Sequence, residues 1–233
     1  MLNFVLPRPS SLRRLALAPT LLLALGACVP RQAETPPTAT ASTTPSTASF
    51  YPLETGLSWS YLPEGEALTR ERYVLSVTGP TLLGNDAATG YRFFGRGVDR
   101  SLYRQVNGQG QFLLGFSLPG LLVTLTPPMR EYPAPSEWRA GLVWSGDMTV
   151  RVLQDGKVQH ESKAEYRFTV LEQRTVTLPS GERRDVWVVN RQIVETGAGN
   201  LFPASSELWF APYIGEVRTP ESLLQVGRNY SSR

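Results

Sequence analysis

One cysteine and one histidine serve all 233 residues, and those two scarcities remove most familiar chemistry at the outset. A lone thiol forms no disulfide within its own chain. With a single imidazole beside it, zinc sites built from nitrogen and sulfur ligands are excluded. A serine, histidine and aspartate relay would have to recruit His160, which lies four residues past a hairpin tip among Gln159, Glu161 and Lys163 and reads as an exposed imidazole. No G-x-S-x-G elbow is present. Gly95 and Gly97 in FGRGVD lack both a third glycine and a following helix, so no phosphate-cradling loop is assigned. Paired carboxylates for glycan cleavage stay open, because sequence does not give their separation. The expectation is a protein that is not an enzyme, with no catalytic residue, metal ligand or cofactor assigned; a hydrolase of envelope glycans or lipids is the lesser alternative.

Net charge is also scarce once its location is considered. The formal charge is +3, but Arg8, Arg13 and Arg14 lie in residues 1–27, which contain no acid. Taking those three from 23 basic residues leaves 20 against 20 acidic ones. Arg92, Arg96, Arg100 and Arg104 form the densest remaining cluster, interrupted by Asp99, and read as a solvated strand face; no nucleic-acid partner is expected. Long apolar runs are missing too. Phe112–Leu125 is broken by Gly115, Pro119 and Gly120, well short of the ~20 residues that a membrane-spanning helix requires.

What is present begins with the amino terminus. Three arginines, a mostly apolar Leu15–Leu25 and the small pair Gly26-Ala27 follow the order of a secretory signal peptide. These eleven residues make a helix of only about 16 Å, half the hydrocarbon thickness. Leu25, Gly26, Ala27 and Cys28 match in register the lipobox of bacterial lipoprotein precursors, and the chain resembles that class here. The resemblance implies cleavage between Ala27 and Cys28, diacylglyceryl attachment to the Cys28 sulfur, and often acylation of the new amino terminus, so that the membrane is the first partner. Two or three acyl chains hold firmly where one is marginal. Arg13-Arg14 with Leu15, Ala16 and Leu17 only partly fits a twin-arginine signal. Val29 stands where an aspartate would resemble inner-membrane retention, which favours the outer membrane in a host with two.

Val29–Ser49 carries four prolines, six threonines and no aromatic residue. Such a composition buries too little apolar area to offset its ordering entropy. The expectation is a lipidated Cys28 followed by a disordered tether across 28–49, with an r.m.s. reach of about 25 Å.

From residue 50 to 233 the texture is that of one β domain. Short runs rich in Val, Tyr, Phe, Trp and Thr are punctuated by Gly, Pro, Asn and Asp. Strands are predicted at 58–62, 71–78, 89–95, 101–106, 111–117, 121–125, 148–154, 157–173, 184–196, 206–211, 215–218 and 223–230. Asp155-Gly156 is the preferred two-residue hairpin turn, and Pro179-Ser180-Gly181 marks another. Tyr166, Phe168 and Val170 alternate with Arg167, Thr169 and Leu171. One face is therefore wet, and the other must be covered by curling or layering. The fold class is mainly β: a strongly curved antiparallel sheet, a half-closed or closed barrel, with few or no helices outside the signal peptide. Gly56-Leu57-Ser58-Trp59-Ser60 recurs as Gly141-Leu142-Val143-Trp144-Ser145, and both mark a strand start where Gly permits a bend and Trp docks inward.

FYPLETGLSWSY, LPSGERRDVWVV and ELWFAPYIGEVR together resemble a loose group of bacterial envelope lipoproteins of unassigned function. That resemblance implies a fold and a compartment, the cell envelope facing outside the cytoplasm. It departs at Tyr213, where the group usually has the first glycine of its W-F-A-P-G ending. The aromatics Trp209, Phe210 and Tyr213 are the binding candidates, as a sugar-stacking platform or the wall of an apolar cavity. The function read from the sequence is a lipid-anchored, non-catalytic envelope protein that binds or assembles with an envelope protein, glycan or lipid. The alternative is a carrier of a lipid or other apolar ligand inside a β half-barrel.

Overall fold

A computed structural model of the chain describes residues 48–197 and 201–231. The proposed signal peptide, Cys28 and nearly all of the tether lie outside them. Twelve strands follow one another: β1 Ser58–Pro63, β2 Tyr73–Leu83, β3 Asp86–Gly95, β4 Val98–Asn107, β5 Gly110–Leu118, β6 Leu121–Pro133, β7 Val143–Gln154, β8 Lys157–Thr177, β9 Arg183–Thr196, β10 Ser205–Ala211, β11 Gly215–Arg218 and β12 Leu223–Arg228. Each pairs antiparallel with its sequence neighbour, and β12 returns to β1 to close the barrel. The one helical turn among the described residues is Pro135–Glu137.

All twelve predicted strands form. Differences lie at strand ends whose local residues hide them. β6 continues through Pro127 and Pro128 to Pro133 because neither neighbour pairs with the prolines: the β7 ladder ends at Thr126, and pairing with β5 lapses after Thr124 and resumes at Met129, so the missing N–H groups break no ladder bond. β7 begins at Val143, five residues earlier than predicted, across a Ser-Gly-Asp that reads as a turn. At the opposite boundary, Ala48 is already buried beside Trp59 and Tyr230, so the packed body starts two residues before residue 50, where the β domain was expected to begin.

The recurring pentapeptide is a structural repeat. Gly56 N–H donates to Val77 O (3.0 Å) while Val77 N–H donates to Leu57 O (2.9 Å). Gly141 N–H donates to Val170 O and Val170 N–H to Leu142 O, both at 2.8 Å. Each Gly-Leu pair thus bulges around one valine of the next strand, with the glycines at φ 90° and 77°. The tryptophans that follow bury their rings and donate Nε1–H to Ile214 O (2.6 Å) and Arg130 O (3.0 Å). One device starts β1 and, six strands later, β7.

A twelve-stranded barrel is wide enough to enclose a lumen. Here long side chains fill it. Phe116, Met129, Trp144, Tyr166, Phe168 and Ile193 pack one region, and Trp59, Tyr61, Leu75, Tyr91 and Phe93 another. The segment leading into β1 stoppers one end: Tyr51 packs on Tyr132 and Phe210, and Tyr91 Oη donates to Pro52 O (2.8 Å). Outward residues of β8 run Gln159, Glu161, Lys163, Glu165, Arg167, all exposed. A barrel that spans a bilayer carries an apolar band at those positions.

Two seams interrupt the wall. The β6–β7 ladder stops at the Thr126–Thr149 pair, where the prolines begin. Beyond it, Trp144 Nε1 and Tyr166 Oη bond the Arg130 carbonyl and amide from inside. Gly146 leaves room for this: a Cβ there would stand 2.7 Å from Tyr166 Oη. At the second seam, β11 and β12 share only the Arg218–Leu224 pair. The β8–β9 hairpin covers it as an arm. Its Leu178, Val186 and Val188 pack on Ala211, Ile214 and Val217, and its tip residue Glu182 pairs with Arg228 of β12.

Candidate functional site

The three aromatic candidates do not form one surface. Phe210 points into the barrel, 1% exposed, against Tyr132 and Trp138. Trp209, its strand neighbour, faces outward and lies under the guanidiniums of Arg174 and Arg218 at 5.0 and 5.7 Å. Alternation along β10 separates them. Tyr213 is 41% exposed in the turn after β10 and packs edge-on against Phe50. The tight turn persists despite the missing glycine, because Tyr213 itself takes φ 64° and its N–H donates to Phe50 O (3.0 Å).

The arginine cluster also divides. Arg92 is outward and pairs with Asp99, and Arg96 pairs with Glu66. Arg100 and Arg104 instead point inward from β4. Arg104 is 6% exposed, its Nη2 lies 2.6 Å from Glu216 Oε1, and its Nε 2.8 Å from Glu131 Oε2. The Nε contact is an ion pair without hydrogen-bond alignment, since that N–H finds no acceptor. Gln111 Nε2 donates to the same Glu131 oxygen (2.9 Å), and the Arg104 guanidinium lies over the Tyr91 ring.

Burial pulls on Arg104, Glu216 and Arg191. It would lower Arg104, yet Glu131 and Glu216 hold that guanidinium well above its ordinary value. Glu216 is raised by burial, with Glu131 adding and Arg104 opposing. Arg191, whose Nε donates to Ser206 Oγ (3.1 Å), is lowered by burial, and its Nη2 has no partner. Burial also drives Tyr61 and Tyr132 upward and pushes Tyr51 to about 12. Sequence reasoning missed this interior network. Its available signal was the period-two row Arg100, Leu102, Arg104.

Among the described residues, the cavities beside this network are correspondingly small. One cavity of about 20 Å³ lies beside Arg104, Glu216 and Tyr91, and another of about 10 Å³ beside Arg191, Glu131 and Glu216. Each is the size of one water. His160, expected to be exposed, is half-buried with Nε2 enclosed and unpartnered near Ser162 and Gly197, because the β8 alternation turns it inward. The roomier clefts are outside, at the seams: about 430 Å³ beside Pro127, Asp147, Lys163 and Glu165, and about 560 Å³ between the arm tip and β12.

The architecture is thus a closed antiparallel barrel with a filled, charge-bearing interior and clefts on its outer wall. No family model matches the chain, and no curated protein does. Among solved structures it is similar to a "putative exported protein with YmcC-like fold" from Bacteroides fragilis, at 16% identity and TM-score 0.43 over 76% of this chain and 95% of that one. It is also similar to a "putative lipoprotein" from Parabacteroides distasonis, at 13% identity and TM-score 0.36 over 77% of this chain and 95% of that one. Likeness at this level carries no functional argument.

Proposed function

We propose that the chain is a lipid-anchored, non-catalytic component of the bacterial cell envelope, and that its barrel binds through the outer wall. The anchor rests on Leu25-Gly26-Ala27-Cys28 closing an apolar leader, followed by a tether that starts the body two to three nanometres from the acyl chains. The observation that carries the outer-wall reading is the filled interior: one-water cavities cannot admit an acyl chain, whereas ligand pockets run to about 300 Å³ and more. The carboxylates that the fold brings together inside, Glu131 and Glu216, are both engaged by Arg104, which leaves neither free as the acid or nucleophile of a glycosidase. Cys28→Ser tests the anchor. The variant should leave the membrane fraction and appear in the soluble one; equal membrane retention would remove lipidation from the account.

A further inference from the structure

The cleft at the second seam lies between the arm tip, with Ser180, Gly181 and Glu182, and β12, with Gln225 and Arg228. Three features of it point the same way. The first is charge. Arg228 reaches Glu182 Oε2 at 3.0 Å, and Arg184 pairs with the other oxygen of that carboxylate. Arg72 brings Nη1 within 3.8 Å of where a Gly227 Cβ would stand. Two guanidiniums, Arg184 and Arg228, therefore share a single carboxylate. Burial lowers Arg184, and repulsion from Arg228 lowers it further; an anion would relieve both.

The second feature is unmet hydrogen-bonding capacity. Gln225 is 1% exposed and its Nε2 has no partner; Arg184 Nε has none either. Both are donors, and a buried donor left unpaired destabilises the fold unless something supplies an acceptor oxygen. The Ser180 side chain lines the opposite wall. The third feature is place. Tyr230, on the rim of this cleft, packs with Trp59 and with Ala48, where the tether joins the barrel.

We propose that this cleft binds the phosphate of a lipid headgroup. Guanidiniums and fixed N–H donors are the groups that recognise phosphate oxygens, and the membrane as the source rests on the anchored reading above. The chain thereby holds the bilayer twice: by acyl chains at Cys28 and by the near end of the barrel, with the arm as one jaw of the second grip.

The test uses the processed chain, residues 28–233 carrying Cys28→Ser, so that vesicle binding cannot come from acylation. It should cosediment with phosphatidylglycerol vesicles and not with vesicles of an uncharged galactolipid that lacks phosphate. Gln225→Leu and Arg184→Gln should each weaken binding about tenfold, while Arg167→Gln on the outer face of β8 changes nothing. Gln225→Leu should also melt no lower than the parent, because it deletes an unpaired buried amide; this separates lost binding from lost fold. Parent-like binding by both cleft variants overturns the proposal, as does equal loss with Arg167→Gln, which would mean only diffuse surface charge. A melting shift in inorganic phosphate without vesicle binding assigns the cleft to a soluble phosphate and overturns the headgroup assignment. Vesicle binding that persists while the native Cys28 proves bare removes the anchor and leaves the cleft standing.

Discussion

Arg104→Met is the perturbation that reads the interior most sharply. Glu131 and Glu216 are only 13% and 11% exposed at their side chains, and both contact this guanidinium. Methionine fills much of the stem's volume and removes the charge. Among the described residues, the more distant Arg191 is then the cation left acting on the two buried carboxylates. Removing one partner of a buried pair costs roughly 3–5 kcal/mol, and two orphaned acids place this variant at the upper end. The sign with pH follows. Arg104 is the group that opposes the upward push of burial on Glu216, so without it the folded-state carboxyl rises further above its unfolded value. The folded variant then holds a proton that the unfolded chain has released between those two values, and stability returns as pH falls through that window, about 1.4 kcal/mol for each unit of added shift. Urea unfolding of parent and variant between roughly pH 8 and pH 5 should show a gap that narrows on acidification. Adding Glu131→Gln and Glu216→Gln should recover most of the loss at neutral pH. A cost under about 1 kcal/mol, or a gap that widens in acid, would refute the reasoning.

Three other outcomes are expected. Gly56→Ala and Gly141→Ala should cost about 1 kcal/mol each, and similar amounts, since both sites have positive φ and open space around the new methyl; urea midpoints compare them. Gly146→Ala should cost roughly 1–3 kcal/mol for a different reason, the clash with Tyr166 Oη at the β6–β7 seam. A tyrosine absorbance titration should show Tyr51 ionising near 12, because burial raises it.

The sequence was most legible where period and turn chemistry agree. The Asp155-Gly156 turn joins β7 to β8 with both residues at positive φ, and the β8 alternation sorts inward Tyr166 and Phe168 from outward Glu165 and Arg167. The Gly-Leu-x-Trp-Ser repeat was readable because its glycine and tryptophan each have a local job. Three features were not. β6 runs through two prolines because neither of its edges is paired there, which no local propensity records. Arg104 counts as polar in any pattern, and its inward orientation depends on Glu131 and Glu216, 27 and 112 residues away. Trp209, Phe210 and Tyr213 lie within five residues of one another, and alternation along β10 sends the first two to opposite faces of the wall.

The claim that the barrel is filled, and therefore works from its outer wall, is tested most directly by titrating the purified protein with the uncharged apolar dye N-phenylnaphthylamine. The account predicts no saturable fluorescence gain in the folded protein. Saturable uptake of one dye per barrel, displaced by a long-chain alcohol, would reveal an interior chamber and contradict it.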